Sequence, residues 1–212
     1  MKPQIIPSII AKNQAELNKR LSKVINLSSI IQLDIMDGKF VKNKSLWFDF
    51  KLPHKPRKTY EAHLMVKEPL IWVNDKKNIK QVNTVIFHIE SIGYPDEIIS
   101  LIKSKHKKVG IALNPSTPVN KVKPYLSKIS QITTLAVNPG KYGSRFLPSV
   151  LNKVKQLRKL KPNLNIEVDG GLGDKHLKEA KKAGANMFIS GGYLQNTKNS
   201  REAYGKLKRL IV

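Results

Sequence analysis

The chain has 212 residues, 40% of them hydrophobic and 25% charged, and no cysteine. This length suits one domain, two at the limit, with apolar residues enough for a sizeable core, so a wholly disordered chain is excluded. Without cysteine there are no disulfides, thiolate metal sites or cysteine nucleophile. The 39 Lys+Arg against 15 Asp+Glu give a net charge of +24, a field that draws polyanions. Only six of the 39 are Arg, the better reader of phosphates and bases, and the lysines are spread along the chain without aromatic interleaving. A Lys-rich surface on a soluble protein is therefore expected, not a nucleic-acid partner. The apolar stretch around Ile5 and Ile6 is broken by Pro7 and reaches Lys12-Asn13-Gln14, too short for a signal-peptide core or a membrane span. A cytoplasmic location with no membrane association is the expectation.

In chain order, short apolar runs rich in β-branched residues predict strands over Gln4–Ile10, Ile30–Met36, Tyr60–Val66, Thr84–Ile89, Val109–Leu113, Ile132–Val137, Asn165–Val168 and Asn186–Ser190. Between them lie segments of helical spacing: Gln14–Ile25 with Leu17, Leu21 and Val24 on one face, Pro148–Leu160 with Val150, Val154 and Leu157, and Lys175–Ala183. The polar stretch Lys51–Lys58, with Pro53 and Pro56, reads as a loop. Eight strands, each followed by a helix, fit an α/β fold of one (β/α)₈ TIM barrel spanning residues 1–212 as a single catalytic domain, near the short end of the usual size range.

Chemistry in such barrels sits where strands end and the next loops begin. Asp34 and Asp169 fall at the ends of the second and seventh predicted strands. Two carboxylates on opposite sides of a substrate can remove a proton from one face and return one to the other, the requirements of inversion at carbon. Either Asp alone would read as a capping or solvated acid, and Asp169 before two glycines could simply open a turn. With His63 between them in strand order, the three form a plausible divalent-metal set, since imidazole and carboxylate both suit Zn, Mn or Fe. Gly140, Gly143 and Ser144, Gly170-Gly171 and Gly191-Gly192 follow the last three strands, where barrels build phosphate sites from backbone N–H groups; ordinary tight turns are the alternative. His88 and Glu90 alternate onto one face of the fourth strand, either lining the mouth or forming a surface pair.

At these residues the chain strongly resembles the ribulose-phosphate 3-epimerase family over almost its full length. The matching segments are Pro7-Ser8-Ile9, Asp34-Ile35-Met36-Asp37-Gly38 with Phe40-Val41 and Asn43, His63-Leu64-Met65, Phe87-His88-Ile89-Glu90, Ala112-Leu113-Asn114-Pro115 with Thr117-Pro118, Val137-Asn138-Pro139-Gly140, Phe146-Leu147-Pro148-Ser149-Val150, and Glu167-Val168-Asp169-Gly170-Gly171. The resemblance implies an isomerase that inverts C3 of D-ribulose 5-phosphate to give D-xylulose 5-phosphate in the pentose phosphate pathway. It assigns Asp34 and Asp169 as opposed acid and base and as ligands of a divalent metal (Mn, Zn, Fe, Co or Mg) that stabilises an enediolate. Ser8, His63 and Met65 would contact the substrate, and the backbone at Gly140, Lys141, Tyr142, Gly143, Gly170, Gly171, Gly191 and Gly192 would hold its phosphate. Family members commonly self-associate, so a homo-oligomer is expected.

Departures from the family pattern are specific. The four-ligand metal site, two His and two Asp, has Gln32 in place of its first His, beside Asp34, His63 and Asp169. A neutral amide oxygen is a weaker donor than imidazole, so affinity should fall and preference move from Zn toward Mn or Mg. Lys141-Tyr142-Gly143 stands where the family has Phe-Gly-Gly, Gly191-Gly192 where it has Gly-Ser, Leu135 replaces a Met, and Lys39 and Lys42 replace a His and a Pro. Two alternatives remain open: an epimerase of another ketose phosphate, such as allulose 6-phosphate, or a non-catalytic sugar-phosphate-binding relative.

Overall fold

The structure, a computed structural model, describes residues 2–75, 77–139 and 145–211. Eight parallel strands run β1 (Gln4–Ile9), β2 (Ile30–Asp37), β4 (Thr59–Met65), β5 (Thr84–His88), β6 (Lys108–Leu113), β7 (Gln131–Leu135), β8 (Asn165–Asp169) and β9 (Met187–Ser190), and pairing of β1 with both β9 and β2 closes the barrel. The two-residue β3 (Lys44–Ser45) folds back antiparallel on the end of β2. Each predicted strand is present, with ends shifted by no more than two residues. Helices α1 (Gln14–Val24), α4 (Val150–Leu160) and α5 (Asp174–Ala183) lie where periodicity places them, joined by α2 (Pro69–Asn74), α3 (Pro95–Ser104), α6 (Gly192–Gln195) and α7 (Ser200–Ile211).

The expectation of a helix after every strand is corrected at two places. A long loop with β3 follows β2, and two 3₁₀ turns, Val119–Lys121 and Lys123–Tyr125, follow β6. Pro53 and Pro56 in the first segment, and Pro118 and Pro124 around the second, withhold backbone donors and disfavour helical conformation in the residues before them. At α1 the local chemistry does favour a helix. Asn13 Oδ1 accepts the Glu16 N–H at 2.9 Å while Glu16 Oε2 accepts the Lys12 N–H at 2.8 Å, satisfying donors the first turn would leave open. Leu17, Leu21 and Val24 then face the sheet.

Strand alternation divides the molecule into two interiors. Outward residues such as Leu33, Ile35, Leu64, Phe87, Ile111 and Val168 join the helices in one large core. Inside the barrel the apolar residues form only small islands, for example Ile6 with Met187 and Ile189, or Ile86 with Ala112 and Leu135. The rest of the lumen is polar and bonded across its width. Gln131 on β7 donates to Glu61 on β4 (3.2 Å), and Thr133 donates to Glu167 on the adjacent β8 (2.7 Å).

Glu61 and Glu167 are both buried, and each keeps one carboxyl oxygen outside the bonds just given. Burial pushes Glu61 up to about 7, and burial followed by repulsion from Glu61 raises Glu167 well above the carboxylate range. The two acids repel across the lumen, and a proton retained by the pair relieves that repulsion.

Between pH 4.5 and about 7 the folded protein keeps a proton on Glu61 that the unfolded chain has released, so stability falls as pH rises through that window. Glu61→Gln is neutral throughout and has the same shape as the protonated acid. In metal-free protein it should flatten this fall and raise the melting temperature at pH 8; identical melting curves against pH in both proteins would contradict the shared proton.

Candidate active site

Adjacent-strand register sets Asp34 of β2 beside His63 of β4, and Ser8 of β1 beside Gln32 of β2. Asp169, at the end of β8, reaches the same point from across the lumen. His63 Nδ1 lies 3.5 Å from Asp34 Oδ1 and 3.3 Å from Asp169 Oδ2. The Gln32 amide nitrogen donates to Asp34 Oδ1 at 2.8 Å and to Asp169 Oδ2 at 3.0 Å, and stands 3.5 Å from His63 Nδ1. Gln32 and His63 are fully buried, and Asp34 nearly so.

These contacts set the site's electrostatics. Burial, and after it the repulsion of Asp169, raises Asp34 against the opposing pull of His63. Burial works to keep His63 neutral, but hydrogen bonds to Asp169 and Asp34 push its imidazole up to about 9. Two close carboxylates therefore hold a positive partner between them. One ligand atom each from Asp34, His63 and Asp169 lies within 4.8 Å of the others, and an imidazole with two carboxylates is a donor set for a divalent cation. Gln32 Oε1 is buried without a partner, so turning the amide would supply a fourth oxygen donor. The residues present fit such an ion.

Above this cluster opens a cavity of about 360 Å³ lined by Ser8, Asp34, His63, Met65, Asp169, Gly170, Gly171, Gly191 and Gly192, every described residue expected from sequence to touch substrate. Gly140, Lys141, Tyr142 and Gly143 lie outside the described residues. Gln32 does not reach the cavity wall; it sits below. Met36, Leu135, Ser190, Tyr193 and Asn196 also line it, and sequence reasoning does not single them out as contacts. Position places them: Met36 and Leu135 continue the inward alternation, and the others lie at or after the end of β9. His88 and Glu90 neither line the cavity nor form a surface pair: His88 is fully buried behind His63, with Nε2 3.0 Å from His63 Nε2 and Nδ1 3.1 Å from Glu90 Oε2.

The glycine turn after Asp169 is built by close approach. Gly170 and Gly171 take φ of +108° and +63°, and a Cβ on Gly171 would stand 2.9 Å from the Phe146 nitrogen. Phe146 is buried there, stacked on the His176 ring at 4.2 Å between centroids.

The protein-family model of the ribulose-phosphate 3 epimerase family matches residues 4–195. The chain belongs to the ribulose-phosphate 3-epimerase family. It is 34% identical to the ribulose-phosphate 3-epimerase of Schizosaccharomyces pombe over 99% of this chain and 94% of that one. It is 33% identical to the cytoplasmic isoform of Oryza sativa over 98% and 94%. Among solved structures, KGPDC from Streptococcus mutans superposes with a TM-score of 0.73 at 17% identity, over 100% of this chain and 98% of that one. A 3-hexulose-6-phosphate synthase gives 0.71 at 16%, each chain covered in full. These structural likenesses show the TIM-barrel fold.

Substituting the turn should be costly. A Cβ on Gly170 would stand 2.3 Å from Val137 Cγ2 at a φ of +108°, so Gly170→Ala should lose about 1–3 kcal/mol in urea unfolding. An unchanged midpoint would mean that the turn relaxes without cost.

Proposed function

We propose that this chain interconverts D-ribulose 5-phosphate and D-xylulose 5-phosphate by inverting C3, with residues 1–212 acting as one catalytic domain. The observation that carries the reading is the meeting of the Asp34 and Asp169 carboxylates, brought from β2 and β8, at one cavity floor beside His63 Nδ1. One carboxylate takes the C3 proton and the opposed carboxyl returns a proton to the other face, so either direction starts with one acid protonated and one ionised. Burial supports that division by favouring a protonated Asp34.

Asp34, His63 Nδ1 and Asp169, with Gln32 in the fourth place, are the residues that would hold a divalent cation. When bound, it supplies a Lewis acid for the negative charge that develops on the substrate oxygen next to C3. The oxygen-rich set favours Mn or Mg over Zn, with Fe and Co also within its range. Ser8 and Met65 border the sugar carbons. The backbone of Gly170, Gly171, Gly191 and Gly192 receives the phosphate, joined by that of Gly140, Lys141, Tyr142 and Gly143 as the resemblance implies. Among the described residues no helix is long and apolar enough to cross a membrane, and a cytoplasmic location belongs to the same reading. So does self-association, which would cover the exposed Trp47, Ile71, Ile92 and Tyr94.

Purified protein supplied with Mn²⁺ should epimerise ribulose 5-phosphate, and Asp34→Asn or Asp169→Asn should each lower kcat by about 10²–10⁴-fold. No turnover with any divalent metal, while the sugar phosphate still binds, would sink the enzyme reading. For the fourth donor, Gln32→His should tighten Zn²⁺ binding measured calorimetrically; unchanged affinity would remove Gln32 from the metal's surroundings.

A further inference from the structure

Behind the ligand histidine runs a chain of groups that the reaction itself does not use. His63 Nε2 faces His88 Nε2 at 3.0 Å, with the two ring planes within 15° of each other. His88 Nδ1 faces Glu90 Oε2 at 3.1 Å. The other Glu90 oxygen accepts the Asn114 N–H at 2.9 Å, and Thr117 also hydrogen-bonds this carboxyl. Lys153 of α4 ties that loop down, its ammonium donating to the carbonyls of Asn114 (2.8 Å), Pro115 (2.6 Å) and Thr117. Phe40 lies over the His88 ring at 4.7 Å, and both histidines are fully buried.

With a cation in place of the proton that His63 Nδ1 otherwise shares with Asp34 and Asp169, both rings are neutral, and proton counting along this chain leaves one consistent arrangement. A carboxylate only accepts, so the ring nitrogen facing Glu90 carries a hydrogen, and His88 is the Nδ1–H tautomer with a bare Nε2. A bare Nε2 at 3.0 Å needs a donor, so His63 carries its hydrogen on Nε2. Its Nδ1 is then a bare lone pair aimed between Asp34 and Asp169. Three acceptors then meet at one buried point where the Gln32 amide is the neutral donor, an arrangement that a positive charge between them satisfies more fully.

We propose that Glu90 and His88 are positioning residues, a relay that fixes His63 as the Nε2–H tautomer and presents its Nδ1 lone pair to a divalent cation held with Asp34 and Asp169. This rests on the reading above that these residues hold a cation. Groups behind a ligating histidine orient the ring and raise its basicity, and their loss typically costs about 10–100-fold in metal affinity. The relay explains why a fully buried His88, bonded to Glu90 outside the cavity, belongs to the same site.

The test uses the full-length protein, stripped with chelator and titrated with Mn²⁺ and Zn²⁺ by calorimetry, with ring ¹⁵N NMR on the zinc-loaded form. His88→Phe, which fills similar space without an acceptor, should weaken binding by about 10–100-fold. His88→Gln, whose amide oxygen can accept the same proton, should recover most of that loss. Glu90→Gln, which keeps the packing should His88→Phe fail to fold, should weaken binding by a smaller factor. In wild type His88 should appear as the Nδ1–H tautomer. The opposite tautomer, or His88→Phe and Glu90→Gln binding metal within about twofold of wild type, overturns the relay alone. Wild type that takes up neither metal overturns the relay together with the cation reading.

Discussion

Everything at the mouth of this barrel follows from the confinement of two carboxylates, Asp34 and Asp169, with ligand atoms within 4.8 Å of each other. Two unit charges at that separation, in an effective dielectric of about 20, repel by roughly 3–4 kcal/mol, a large part of a domain's usual net stability of about 5–15 kcal/mol. The surrounding residues answer that repulsion in three ways. Gln32 bridges the pair with its amide N–H₂, His63 turns a ring nitrogen toward both, and burial favours a proton on Asp34. The last of these is also a requirement of proton transfer at carbon, where one acid must be loaded and the other empty.

A closed barrel is what makes the confinement possible. Neighbouring strands supply Asp34 and His63 side by side through register, whereas Asp169 reaches them from the far side of the lumen. The large apolar core lies outside the strands, beneath the helices, and leaves the lumen free for polar work. Below the site the Glu61–Glu167 pair continues the same logic, with two buried acids whose repulsion favours a retained proton. His88 and Glu90 extend it sideways, so the catalytic layer rests on partners with matched donors and acceptors.

Much of this is legible in the amino-acid order. Strand limits follow from β-branched runs because each parallel strand is covered on its outer face by helices, and α1, α4 and α5 follow from 3.6-residue spacing. Asp34, His63 and Asp169 can be named because they stand at strand ends, where alternation turns them inward. Two things are not legible. The eight-unit barrel pattern leads to a helix after β2 and β6, but a loop with β3 and two 3₁₀ turns take those places. His88 and Glu90 stay ambiguous because periodicity gives the face of a strand but not what stands across from it: the partner of His88 is a side chain 25 positions away. For Gln32 the sequence suggests a weak ligand through its oxygen, and the geometry adds the opposite end, an amide N–H₂ already bonded to both carboxylates.

The central claim is that one positive centre belongs between Asp34, His63 and Asp169. Anomalous diffraction from crystals of the protein loaded with Mn²⁺ tests it most directly. The account predicts a single strong peak within coordination distance of His63 Nδ1 and of one oxygen from each of Asp34 and Asp169. Saturating Mn²⁺ that leaves this point empty, with the Gln32 amide still bridging the two carboxylates, would contradict it.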